Sequence, residues 1–172
     1  MGHVLQAGAG QITARQAAVN GGIPMSVPAT TVNKVCLSGM DAIYQADRRI
    51  RSGDAEIVVA GGMESMTNAP HLLAGARSGY RIGDGVLVDS MMYDGLYCAF
   101  DQCAMGEGTE KYAQAHGLVR EHMDAMAAES HRRADAAQQN GVFADEIVTV
   151  TIPQRRGDAL IVGHDEGVRG ET

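Results

Sequence analysis

The chain has 172 residues with 14 Lys and Arg against 21 Asp and Glu, and its formal net charge of −7 excludes a broad nucleic-acid surface or an anionic-membrane binder, both of which need basic clusters above the background. With 45% hydrophobic and 20% charged residues, no Trp, and no apolar run of membrane-spanning length, it reads as one globular unit with a core of small aliphatic residues and Met, plus a sizeable excursion. Three cysteines, Cys36, Cys98 and Cys103, form an odd set without the spacing of a disulfide framework or a zinc site, which points to a reducing, cytoplasmic setting. The N-terminus "MGHVLQ" has neither a charged n-region nor a long apolar segment, and Gln6 stands where a myristoylation signal needs Ser or Thr.

In chain order, a glycine-rich opening leads into a helix predicted over Thr13 to Asn20 and stopped by Gly21 and Gly22. It is not a P-loop, because no Gly-Lys-Ser/Thr closes it. After the turns at Pro24 and Pro28, "ATTVNKV" has the β-branched content of a buried strand, and Cys36 follows it. Met40, Ile43, Tyr44 and Ile50 then recur at helical spacing until Ser52-Gly53-Asp54, and the apolar run "EIVVA" comes next. Strand, cysteine, helix, strand is the order of a βαβ unit with a parallel pair, so Cys36 is expected at a carboxyl end of an α/β sheet, where open sheets of this class hold their chemistry.

From about Thr67 the chain is rich in Gly, Asp and Met without a sustained period, and an irregular excursion is expected there. A second helix is predicted over Arg120 to Gln139, with Met123, Met126, Ala127, Ala134 and Ala137 on one face and Gly141 as the stop. "EIVTVTIPQRRGDALIV" reads as two strands joined at Gln154 to Gly157. Only two runs resemble central parallel strands, fewer than a layered sheet needs to cover helices on both faces.

A thiol at a strand-to-helix junction lies near the positive end of the helix, which favours an anion by roughly 0.3–1 kcal/mol, up to about 2 in a partly buried site. That is too little to ionise an ordinary thiol at neutral pH, so an efficient nucleophile also calls for a base, most often His. The alternative for a free cysteine is a small buried hydrophobe. "CLSG" favours the nucleophile, because Ser38 and Gly39 make a tight turn that leaves room for a substrate at the sulfur and at the neighbouring N–H groups.

"VNKVCLSGMDAI" followed by "GDAEIVVAGGMESMTNAPH", then "YDGL", "MG" with Glu110 beyond it, "DEIV" and "DEGVR", closely resembles the thiolase family of acyl-CoA acyltransferases, in family order and along essentially the whole chain. The resemblance implies a partial thiolase-like layered α/β fold: a catalytic half-domain over residues 1–66 and its inserted loop domain over 67–172. It further implies that Cys36 is the nucleophile taking an acyl group from a coenzyme A thioester, with its own backbone N–H in an oxyanion hole. Leu96 and Met105 would line the pantetheine and acyl pocket. Acyl-CoA and CoA are the implied substrates, with no metal or redox cofactor, and the assembly is a homodimer or tetramer.

Two departures matter. Ala104 stands before Met105-Gly106 where the short-chain biosynthetic branch has His, so chain length stays open. Family members also start with a strand before "GHVLQAGAGQ" and continue into a second half that holds the activating His and a second catalytic Cys; neither segment occurs here, and the chain is expected to be truncated at both ends. Two other readings stand beside this one, a ketoacyl-synthase-type condensing enzyme and a non-catalytic fragment that pairs with another subunit.

Among the remaining candidates, His3, His71, His116, His122, His131 and His164 have no partner pattern and are expected to be surface or satisfied histidines. Cys98 and Cys103 are expected to be structural rather than zinc ligands. The arginines at 48, 49 and 51, at 77 and 81, and at 155 and 156 read as solvated helix ends or turns, with a polyanionic small-molecule substrate as the other use for one of these clusters. The ten methionines read as core filler.

Overall fold

A computed structural model describes residues 1–171. They divide into two compact units, Met1–Gly108 and the chain from Thr109 onward.

The first unit is organised around its N-terminal segment. Gly2 bridges Val32 on one side and Gly62 on the other, both in parallel. His3 N donates to Val32 O at 3.0 Å and Val32 N to Met1 O at 2.9 Å, while Gly2 N donates to Gly61 O at 2.8 Å and Met63 N to Gly2 O at 3.0 Å. The parallel order expected of "ATTVNKV" and "EIVVA" is therefore present, but with two corrections. The two runs do not pair with each other, since Met1–His3 lies between them, and the pairing is limited to isolated bridges rather than ladders.

Helix α1 (Thr13–Asn20) starts where expected, and the Thr31 hydroxyl accepts from Ala14 N at 3.1 Å, satisfying one of its unbonded N–H groups. Helix α2 (Ser38–Arg51) follows Cys36. Its buried residues are Ser38, Ala42 and Ala46, whereas Met40, Ile43, Tyr44 and Ile50, the face the apolar spacing pointed to, are exposed. The reason is distance. A Cβ built on Gly2 would lie 2.4 Å from the Ser38 carbonyl carbon and 2.5 Å from Gly39 N, and one on Gly62 would lie 3.2 Å from Gly39 Cα. Only a stripe of small residues lets the α2 backbone come this close to the bonded segment below it. Arg48, Arg49 and Arg51 sit in the last turn of α2, where cations suit the negative helix end; Arg51 pairs with Asp47 and Arg48 lies over the Tyr44 ring at 5.6 Å.

The stretch after Thr67 is more ordered than its composition suggested. Strands β1 (His71–Leu73) and β2 (Leu87–Asp89) pair antiparallel, a π-helical turn spans Met91–Leu96, and β3 (Tyr97–Cys98) and β4 (Cys103–Ala104) form a short hairpin running into α3 (Met105–Ala115). Buried Ser90 anchors this region, its hydroxyl donating to Pro70 O at 2.5 Å.

Further on, α4 occupies Arg120–Gln139 as expected, and β5 (Val150–Ile152) pairs antiparallel with β6 (Leu160–Val162). The α4 face proposed from its apolar residues is only partly covered: Met123, Ala134 and Ala137 are half-buried, while Met126 and Ala127 are exposed. Side-chain pairs one turn apart run along the helix. Arg120 bonds Asp124, and Glu129 accepts from Arg132 at 2.6 and 2.7 Å and from Arg133 at 2.6 Å. No helix among the described residues is long and apolar enough to cross a membrane.

Two measurements follow from these contacts. Gly2→Ala forces a methyl into the Ser38–Gly39 peptide and is expected to cost about 1–3 kcal/mol, seen as a lower urea midpoint; an unchanged midpoint would show that the backbone contact is loose. The Arg132 hydrogen bond, and then that of Arg133, lower the Glu129 pKa from 4.5 to about 2. A depressed folded-state value means that the support these pairs give α4 is present above about pH 4.5 and is lost as pH falls through about 2. Side-chain NMR should show Glu129 titrating near the lower value, moving upward in high salt; a midpoint at the ordinary value would show that the pairs do not persist.

Candidate functional site

Cys36 follows a tight turn centred on Val35. Val35 before it has φ of 50°, a left-handed conformation uncommon for a β-branched residue. The turn is held by its own polar atoms: Val35 N donates to Asn33 Oδ1 at 3.0 Å, Lys34 N to Ser38 Oγ at 2.7 Å, and the Ser38 hydroxyl to Val35 O at 2.6 Å. Lys34 Nζ also reaches Asp41 Oδ1 at 2.8 Å, and Gln45 Nε2 reaches Asp41 Oδ2 at 2.6 Å. These two donors, Lys34 first, hold the Asp41 carboxyl below its ordinary range and tie the approach to Cys36 onto the first turns of α2. Cys36 is exposed and α2 begins two residues beyond it.

The thiol opens on a largely apolar cleft of about 480 Å³, whose lining includes His3, Leu5, Cys36, Met63, Glu64 and Leu96. Leu96 arrives there because the π-helical turn lies directly on Leu5: a Cβ on Gly95 would be 3.3 Å from Leu5 Cδ2. Leu96 and Cys36 therefore share one cleft. Met105 does not line it, since the β3–β4 hairpin separates it from Leu96 and it stands as the exposed first residue of α3.

Two lining residues form a network that sequence reasoning did not assemble. The Glu64 carboxylate accepts from Val4 N at 2.9 Å and Leu5 N at 3.1 Å, and lies 3.3 Å from His3 Nε2. His3 is buried, with Nδ1 at 2.8 Å from the Thr13 hydroxyl. Both ring nitrogens are thus engaged, so His3 is a satisfied histidine and does not serve Cys36 as a base. The only signal in the sequence was Glu64 itself, an acid placed where the chain leaves the bonded 61–63 segment. The other two cysteines stand apart from this cleft, on β3 and at the start of β4. Among the described residues, no group of three or more His, Cys, Asp or Glu side chains gathers as a metal site would require.

A family model described as the N-terminal domain of thiolase matches residues 1–172. The chain belongs to the thiolase family. It is 54% identical over 172 residues to a probable acetyl-CoA acetyltransferase of Mycobacterium leprae, covering all of this chain and 44% of that protein. It is 52% identical over 169 residues to an acetyl-CoA acetyltransferase of Cupriavidus necator, covering 98% of this chain and 43% of that one. A probable acetyl-CoA acyltransferase of Staphylococcus aureus is 50% identical over 169 residues, with the same shares covered. The chain spans less than half the length of these curated relatives, and its mixed helices and short strands form a partial α/β thiolase-like fold.

The Glu64 contacts make a specific demand. Glu64→Ala leaves the Val4 and Leu5 N–H groups without their acceptor and is expected to cost about 1–3 kcal/mol, with Glu64→Gln costing less because one oxygen remains. Amide hydrogen exchange at Val4 and Leu5 should accelerate most in the Ala variant; equal exchange in all three proteins would remove the carboxylate from this role.

Proposed function

We propose that this chain is the part of an acyl-CoA C-acyltransferase that carries the acyl group on Cys36, in a protein that forms or cleaves 3-ketoacyl-CoA. The observation that carries the reading is the exposed Cys36 held on a strained turn two residues ahead of α2, opening on the apolar cleft that Leu96 also lines. In the proposed step the Cys36 sulfur attacks the thioester carbonyl, N–H groups stabilise the oxyanion, and the CoA thiolate leaves. The acyl group then passes to the α-carbon of a second thioester, or returns to CoA in the cleavage direction.

An apolar cleft next to an exposed thiol suits an acyl chain and the uncharged arm of CoA. Met105, as the family resemblance assigns it, would belong to the part of the pocket beyond the hairpin, and residues 67–172 to the loop domain that covers the substrate. The relatives' names, acetyltransferase in some and acyltransferase in another, leave the acyl length open. Dimer or tetramer formation belongs to the same proposal. It is supported by the exposed apolar residues of α2, Met40, Ile43 and Tyr44, which a second polypeptide surface would cover.

The test is to incubate the purified chain with acetyl-CoA and to map adducts by intact mass and peptide analysis. Because His3 is engaged elsewhere, acylation should be slow and of low occupancy, but it should be confined to Cys36 and absent from Cys36→Ala. Iodoacetamide should alkylate Cys36 before the buried Cys103, with free CoA slowing that reaction. Acyl groups on other residues, or no protection by CoA, would overturn the assignment.

A further inference from the structure

We propose that Cys98 and Cys103 form a reversible dithiol–disulfide pair, a modification site separate from the Cys36 cleft. The two residues are direct partners across the β3–β4 hairpin. Directly opposed residues of an antiparallel pair have Cα atoms about 4.5–5.5 Å apart and side chains on the same face, which lies within the roughly 4.4–6.8 Å span that a disulfide bridges.

The turn that joins them is fixed by its own hydrogen bonds. Gln102 takes φ of 52°, and its N–H donates to Cys98 O at 3.0 Å, while the Tyr97 hydroxyl donates to Gln102 O. Asp101 N donates to Cys98 Sγ at 3.4 Å, and that thiol donates to Asp101 Oδ2 at 3.4 Å. The opposed pair is therefore held in register with both thiols present as free cysteines.

Exposure distinguishes their roles. Cys98 is half-buried and reachable, whereas Cys103 is 4% exposed, its sulfur lying against Gly108. A low-molecular-weight disulfide, R–S–S–R, meets Cys98 first. The Cys98 thiolate attacks one sulfur, forming Cys98–S–S–R and releasing RS⁻. The Cys103 thiolate then attacks the Cys98 sulfur and expels the second RS⁻. The protein dithiol has lost two electrons and two protons, and the small disulfide has been reduced to two thiols. The new bond clamps the hairpin stem between Leu96, in the cleft, and Met105, at the start of α3. In a reducing compartment the pair rests as the dithiol and responds when the small disulfide accumulates.

The full chain is incubated with increasing oxidised glutathione, quenched with N-ethylmaleimide and analysed by mass. In the expected product neither Cys98 nor Cys103 takes up N-ethylmaleimide, and the segment holding the two is lighter by two hydrogens than the unlabelled dithiol. A protease cutting before Asp101 should leave the two halves joined until dithiothreitol is added. Cys103→Ser should stop at a stable glutathione adduct on Cys98, and Cys98→Ser should form no internal bond. The wild-type digest decides even if either variant folds poorly. Cys98 and Cys103 both surviving as free thiols at oxidant levels that modify Cys36, a persistent mixed disulfide on wild-type Cys98, or a bridge that includes Cys36 would each overturn the proposal. None of these readouts depends on acyl transfer.

Discussion

The first unit rests on one constraint, that three glycines bring backbone against backbone. Gly2, Gly39 and Gly62 carry no Cβ where the N-terminal segment, the first turn of α2 and the 61–63 segment converge. The peptide groups of Met1–His3 can then bond sideways on both edges while α2 lies across them. A methyl at Gly2 would sit well inside van der Waals distance of a peptide that cannot rotate away. This contact fixes where α2 begins, and with it the position of Cys36.

On that base the chain maintains a turn that would be unfavourable alone. A β-branched residue at positive φ costs of order 1–3 kcal/mol, and Val35 keeps that conformation because Asn33 and Ser38 bond its peptide groups from both sides. The thiol that follows is exposed rather than packed inside. In the same cleft Glu64 takes two consecutive N–H groups and faces the His3 ring. Leaving the part-buried Leu5 N–H unbonded would disfavour the segment on which α2 is seated, so the Glu64 network and the glycine contact support one another.

The elements that could be read from the residues are those specified by near neighbours. Helices α1 and α4 and the β5–β6 pair follow from glycine stops, turn residues and periodicity within a few positions. Helix α3 escaped because Gly106 and Gly108 in its first turn interrupt the apolar pattern, and β1 and β2 because each is three residues long with an irregular stretch between them. The apolar spacing of α2 identified a helix but named the wrong packed face, since proximity of backbones selected Ser38, Ala42 and Ala46 over the larger residues. For the site, Cys36 was legible from its place ahead of a helix, but the turn expected at Ser38 and Gly39 is absent. Both residues open α2, where Gly39 lies against the Gly62 backbone, and the turn falls instead at Val35, before the thiol. Leu96 came only from family resemblance, and the His3–Glu64 pair joins positions too distant in the chain for any local pattern to reveal.

By itself, then, the sequence determined the thiolase family, through its motifs, and the helix behind Cys36, because helix periodicity acts over a handful of residues. Tertiary structure alone decided that Met1–His3 divides the two parallel runs, that Leu96 shares a cleft with Cys36, and that Cys98 faces Cys103. Those are outcomes of backbone approach and register, which depend on which segments meet and how closely, and no window of neighbouring residues encodes that.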